Sequence, residues 1–314
     1  MPTNSDTAAQ ADDTTAQTAV MNTSNIGIEI PKEMLPGIFQ KISAASVVAG
    51  LSSSTPMTFG DVNNLVFSSK PKAEFVGEGV AKNPSKAEFS NIVGVPHKAQ
   101  VTVRMSNELE WADEDGRIAI IDAITDSMSE ACGQALDFGL IHGVSPATGS
   151  AVDGMSHITD KCDTITKTAK VEEDLDSLVA KVVENGYLPS ALALDPAEAV
   201  EVYKARSSNR VKVFPDFTLA QNAQNTLAGL PSLTSANVGG KGVATVETKL
   251  LALAGDFTAL RWGIVRNLGI EVIRYGDPDG QGDLKRYNQV AYRAEMVFTW
   301  AILDPKAFVA LKSA

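Results

Sequence analysis

The residues able to do chemistry in this 314-residue chain are few and scattered. His97, His142 and His157 stand without a partner at ligand or proton-relay spacing, and none neighbours a nucleophile motif. Cys132 and Cys162 lack metal-ligand spacing and read as reduced thiols. Gly77, Gly79 and Asn83 miss the third glycine, and the helix it should open, of a dinucleotide fingerprint. Asp277, Asp279 and Asp283 resemble a calcium loop that lacks the acid closing the ring. These types and spacings build no centre for catalysis on an external substrate. The expectation is no catalytic residue, no cofactor and no metal.

What the sequence does organise is charge. Between Ser106 and Gly143 the acids are Glu108, Glu110, Asp113, Glu114, Asp115, Asp122, Asp126, Glu130 and Asp137, against Arg117 alone. The segment before it carries Lys70, Lys72, Lys82, Lys86 and Lys98, and the stretch from Arg261 to Lys312 carries eight further cations. Opposite signs segregated by segment suit contact between elements or between copies. The formal net charge of −11 argues against general nucleic-acid affinity, which needs basic surface. A hydrophobic content of 44% is enough to bury one full core or two modest ones. No apolar run approaches the roughly 20 residues that span a bilayer, so no membrane contact is expected. Pro2 to Thr18 lacks the basic-then-apolar order of a secretory signal and reads as a disordered tail.

The elements that carry these charges follow from periodicity. A hairpin from about Phe59 to Ser106 is expected, because Val101, Val103 and Met105 alternate with Gln100, Thr102, Arg104 and Ser106. Its tip, Gly77 to Pro84, holds turn residues and projects. A two-stranded ribbon is marginal in water, so another copy of the chain is expected to support it. Ile118, Ile121, Thr125, Met128, Cys132, Ala135 and Gly139 recur every three or four residues and define the core stripe of one long helix. Ahead of the hairpin lie an extended arm and short helix over Ile28 to Phe39 and an apolar patch over Ile42 to Leu51; a Gly-rich loop, Gly143 to Gly154, follows the long helix. Val171 to Glu184 reads as a helix stopped by Gly186 and Pro189, Ala191 to Leu194 as a buried strand, and Asp195, Pro196 and Glu198 as a helix start. Residues 206–242 read as irregular. Strands are expected near Lys249–Ala254, Ala259–Ile264 and Ile270–Arg274, then an unusually long one from Val290 through Ile302. Asp304 and Pro305 are expected to cap a closing helix through Leu311. The fold class is α+β.

Taken in order, AEFVGEGVAKNPSKAEF, HKAQVTVRMSNELE, ALDFGLIHG, LPSALALDP, LAGLPSLTSANV, LALAGDFTALRWGIVRNLGIEV and RYNQVAYRAEMVFTWAILDPKAFVAL resemble the major capsid proteins of tailed bacteriophages with the Hong Kong 97 fold. The resemblance runs from about Ile26 to Leu311. It implies a structural, non-enzymatic shell protein that assembles as hexamers and pentamers into an icosahedral container for double-stranded DNA, without sequence-specific binding to that DNA. It also implies a disordered tail over 1–25, an arm over 26–60, an extended loop over 61–105, a peripheral domain over 106–189 and 286–303, and an axial domain over 190–285 and 304–314. Partners implied are the chain itself, a portal protein, a decoration protein and, because the tail is too short to be a built-in scaffold, either a separate scaffolding protein or assembly without one. The location implied is the virion, assembled in the host cytoplasm. An encapsulin-like compartment shell that packages a cargo enzyme is the alternative of the same fold. An α+β hydrolase or binding protein using the Gly143 to Gly154 loop is the alternative of another class.

The resemblance brings one chemical candidate. Some members join subunits when a loop lysine attacks an asparagine amide while a glutamate takes the lysine proton. Lys82, Asn288 and Glu295 fall where that motif would lie. The chemistry needs a neutral lysine, hence burial and contact with the acid. The other reading has Asn288 capping a turn, Glu295 paired with Arg293 or a neighbour, and Lys82 solvated.

Overall fold

A computed structural model of the chain describes residues 45–313, apart from 54–61, 70–72, 79–81, 83, 86, 87, 115–119 and 221–224. The expected tail lies outside the described residues, as does the arm apart from 45–53, where a short helix forms within the apolar patch expected over Ile42 to Leu51. Eleven strands are seen among the described residues: β1 (Val62–Ser69), β2 (Glu88–Gly94), β3 (Pro96–Ser106), β4 (Asp163–Thr166), β5 (Ala191–Leu194), β6 (Asn225–Leu227), β7 (Leu230–Thr234), β8 (Leu250–Gly255), β9 (Leu260–Ile273), β10 (Gln289–Ile302) and β11 (Phe308–Lys312). The helices are α1 (Val47–Leu51), α2 (Asn107–Glu114), α3 (Ile120–His142), α4 (Ile158–Lys161), α5 (Val171–Glu184) and α6 (Pro196–Lys204). The chain divides into two compact units. Gln100–Ser129 and Leu268–Glu295 belong to the first; Phe39–Ala99, Glu130–Asn267 and Met296–Ala314 form the second. Strands β3, β9 and β10 and helix α3 contribute residues to both.

The second unit is built on a six-stranded mixed sheet in the order β4-β11-β8-β5-β7-β6. Every residue of β5 is buried, as an unbroken apolar strand requires. Leu175, Leu178 and Val182 of α5 pack with Leu192 and Leu194 of β5, Ala252 and Ala254 of β8, and Val309 and Leu311 of β11. The cap expected at Asp195 is present: its carboxylate accepts from the Ala197 N–H at 2.8 Å, with Pro196 in the first turn. Strand β4 and helix α5 lie with this sheet.

Four expectations are corrected. The closing helix is a short 3-10 turn, Pro305–Ala307, followed by strand β11. Asp304 caps the turn as expected, but the apolar run from Phe308 to Leu311 gains a ladder on both sides, antiparallel to β8 and parallel to β4, and that pairing outweighs helix propensity. The strands expected over 259–264 and 270–274 are one strand, β9, continuous through Gly269 at φ +70° because it runs beside the equally long β10. The segment 206–242 contains the hairpin β6-β7, turned by Ala228 and Gly229 at φ +51° and +76°. The acidic helix is described over α2 and α3, and residues 115–119 between them lie outside the described residues. Finally, the return strand of the hairpin splits at Val95: β2 pairs with β1 as a separate two-stranded ribbon, whereas β3 joins the three-stranded sheet β3-β10-β9.

Candidate assembly site: the ribbon, its anchor and the buried charges

The ribbon pairs Val62 with Gly94 at its foot and Phe67 with Phe89 further out. Among the described residues neither strand enters another sheet. Beyond the ribbon, Phe75 is wholly exposed and Lys82 is exposed with it. The foot is fixed by Trp300 of β10. A Cβ on Gly94 would lie 2.8 Å from the Trp300 carbonyl oxygen, and one on Gly139 of α3 would lie 2.9 Å from the indole ring, so only glycine lets these backbones approach. The His97 ring sits 4.9 Å from the indole, and the indole N–H donates to the Ser156 carbonyl at 2.7 Å. Burial lowers the His97 pKa. Sequence reading placed Trp300 on an apolar face and His97 among ordinary polar residues. It missed that together they root the ribbon, since the signal lies in three segments far apart in the chain.

The acidic stretch is not wholly a surface rail. In the first unit Glu110 is buried, accepts two hydrogen bonds from the Arg274 guanidinium at 2.7 and 2.8 Å, and accepts from the Tyr292 hydroxyl at 2.9 Å. Arg104, expected on a polar strand face, is buried inside the Asp277–Asp283 loop. Its Nε donates to Asp279 at 2.7 and 2.8 Å, Nη2 donates to Asp277 Oδ1 at 2.9 Å and to the Gly282 carbonyl at 2.8 Å, and Nη1 reaches Gln289 at 3.2 Å. The loop that looks like a cation site is therefore filled by a guanidinium. Desolvation works to raise the Asp277 pKa, but the N–H groups of Gly282 and Gly280 and the Arg104 charge together hold it below the usual carboxylate value. Arg293 reaches Thr102 and the Pro278 carbonyl from below.

In the second unit Asp137 is fully buried, with no cation beside it among the described residues. It accepts from the Ser46 hydroxyl at 2.6 Å, the N–H groups of Val47 and Val48 at 2.8 and 3.1 Å, and the Asn237 amide at 2.6 Å. Desolvation pushes its pKa up, and the four hydrogen bonds oppose that rise. One carboxylate thus ties α1, α3 and the turn after β7.

Of the linking candidates, Asn288 is exposed at φ +57°. Its Oδ1 accepts from Asn107 Nδ2 at 2.7 Å and its Nδ2 donates to Glu108 Oε1 at 2.5 Å. Glu295 is half-buried on β10, in the same unit as Asn288; Lys82 belongs to the other unit. His142 donates from Nε2 to the Val238 carbonyl at 2.9 Å, and burial drives its pKa down to about 4. Cys132 and Cys162 are free thiols, both raised to about 11 by desolvation. Among the described residues no group of His, Cys, Asp and Glu could hold a metal ion, and no helix is long and apolar enough to cross a membrane.

A self-paired ribbon rooted on a long-stranded α+β body, with buried charge stitched inside it, is the architecture of a shell subunit with the Hong Kong 97 fold. The Phage capsid family matches residues 27–313, and the chain belongs to it. A solved structure from Mycobacterium phage Ogopogo is 33% identical, with a TM-score of 0.78 and coverage of 91% of this chain and 97% of that one. One from Gordonia phage Cozz is 32% identical, with a TM-score of 0.75 and coverage of 93% and 92%. The capsid of an empty GTA particle shares the fold at 15% identity and a TM-score of 0.59, over 91% of this chain and all of that one. No curated protein matches the chain. It is a bacteriophage major capsid protein, a self-assembling structural component of the virion and not an enzyme, and these matches do not favour an encapsulin-like compartment.

Proposed function

We propose that this chain builds the capsid of a tailed phage as hexamers and pentamers, closing around double-stranded DNA with each ribbon laid over a neighbouring subunit. The observation that carries the reading is a two-stranded ribbon, rooted at Trp300, that pairs only with itself and leads to a wholly exposed Phe75. A ribbon of this kind gains its stability by lying on something. Many moderate contacts repeated by symmetry then hold the shell. Phe75→Ser is expected to leave circular dichroism unchanged and to shift the protein from shells to capsomers or monomers in sedimentation and negative-stain images. Wild-type-like shells from that variant would overturn the role of the ribbon.

The reading carries a portal protein, a separate scaffolding protein and a decoration protein as partners, with assembly in the host cytoplasm. Expression of the chain alone is expected to give irregular or open assemblies; uniform closed shells would remove the need for a scaffold. Asn288 has two readings. Its left-handed backbone and its bonds to Asn107 and Glu108 support a turn clamp. Exposure of Asn288 and Lys82 supports a link in which a Lys82 Nζ–Asn288 Cγ bond forms, the Cγ–Nδ2 bond breaks, Glu295 takes the lysine proton and ammonia leaves. Denaturing gels of mature particles decide: a ladder means linkage, a single monomer band means the clamp alone.

A further inference from the structure

Two exposed patches of opposite character stand on the second unit. One is the outer face of α5, where Asp176, Ala180 and Val183 recur at helical spacing and Leu188 follows just beyond, 78% exposed. The opposite face of this helix is in the core, so an ordinary surface helix would carry only polar residues here. The other patch is the tight turn after α6. Arg206 and Lys212 form an isolated bridge, the Ser207 N–H donates to the Val211 carbonyl at 2.9 Å and the Arg210 N–H to the Ser207 carbonyl at 2.8 Å, so the turn is fixed by its own backbone. It presents Arg210, Val211 at 64% exposure and Lys212, whose Nζ lies 4.1 Å from the centre of the Tyr203 ring. Lys204, Arg206, Arg210 and Lys212 follow one another here with no acid between them. Among the described residues neither Arg210 nor Asp176 has an ionic partner.

We propose that these patches are two halves of one contact between copies: the 206–212 turn of one subunit seats on the outer face of α5 in the next, with Arg210 against Asp176 and Val211 against Val183 and Leu188. The inference rests on the shell reading and adds to it a specific pair of surfaces. Each patch mixes apolar side chains with one sign of charge, the composition of a protein interface. A nucleic acid would engage the cations and leave the apolar and acidic face of α5 unused. Because the two surfaces differ, the contact runs head to tail, the kind that closes into rings.

The test is a charge swap in the full chain. Arg210→Glu alone and Asp176→Lys alone are each expected to raise the protein concentration needed for sedimenting particles by about tenfold, with the combined variant returning close to wild type. Both residues are exposed, so melting curves of unassembled protein should not move. Single variants that assemble like wild type, or a combined variant no better than the singles, would overturn the contact while leaving the shell reading intact. Loss of retained DNA with unchanged assembly would assign the turn to nucleic acid and overturn it equally. Wild-type protein that never sediments as particles would overturn the shell reading and this contact with it.

Discussion

Glu110 and Asp137 come from the same acid-rich stretch and both are buried, yet the two units handle them by opposite means. In the first unit Glu110 meets a guanidinium, and Arg104 repeats the device with Asp277 and Asp279 of the Asp277–Asp283 loop. In the second unit Asp137 meets only neutral donors, deep in a body held together by apolar sheet packing. A carboxylate answered by charge is sensitive to salt and robust to acid. One answered by hydroxyl, amide and backbone N–H groups ignores salt and depends on all its donors staying in place.

The contrast can be broken at its strongest point first. Asp137→Leu leaves four buried donors without an acceptor, which should cost about 3–5 kcal/mol in urea denaturation of the unassembled protein, equally at low and high salt. A cost that falls with added salt would place hidden charge beside Asp137. Acid comes next. His142 is lowered to about 4 from 6.5, so its neutral form is favoured in the folded state. Its contribution is complete above pH 6.5 and is lost as pH falls towards 4, about 3 kcal/mol in all. Asp277 is lowered as well, but from the ordinary carboxylate value, so its contribution is complete above the usual carboxylate range and is lost only as pH falls into and below that range. Hydrogen exchange near His142 should therefore accelerate at a higher pH than exchange in the Asp277–Asp283 loop; the reverse order would sink the comparison.

Smaller effects sharpen it. Arg104→Met strips the guanidinium from the Asp277–Asp283 loop and should cost about 2 kcal/mol, less than a fully buried pair because Asp277 is partly exposed, with a salt dependence that Asp137→Leu lacks. At the bottom of the scale, Lys170→Ala removes an exposed i,i+3 pair with Glu173 and should leave the denaturation midpoint unmoved.

Much of this was legible beforehand where a single segment carries its own signal. The long strand β10, the Asp195–Pro196 helix start and the unbroken run of β5 are local patterns, and the folded chain keeps them; of the stripe expected on α3, Met128, Cys132 and Gly139 are buried, but Ile120, Ile124 and Leu136 fill the core where Ile121, Thr125 and Ala135 were expected. The failures share a different cause. The run from Phe308 to Leu311 has no period that separates a short buried helix from a strand, and the two neighbouring strands decide it. Arg104 and Asp137 look like surface charges because their partners lie far along the chain.

Sequence alone determined the class of fold, the order of its main helices and long strands, the ribbon and the membership of a shell-building family, because periodicity, caps and motif order are properties of neighbouring residues. Only the tertiary structure decided which charges are buried, that Trp300 roots the ribbon through two close-lying glycines, and that an arginine occupies the acidic loop. Those outcomes depend on groups brought within hydrogen-bonding distance across long stretches of chain, where the loss of water makes each pairing obligatory and no local pattern records it.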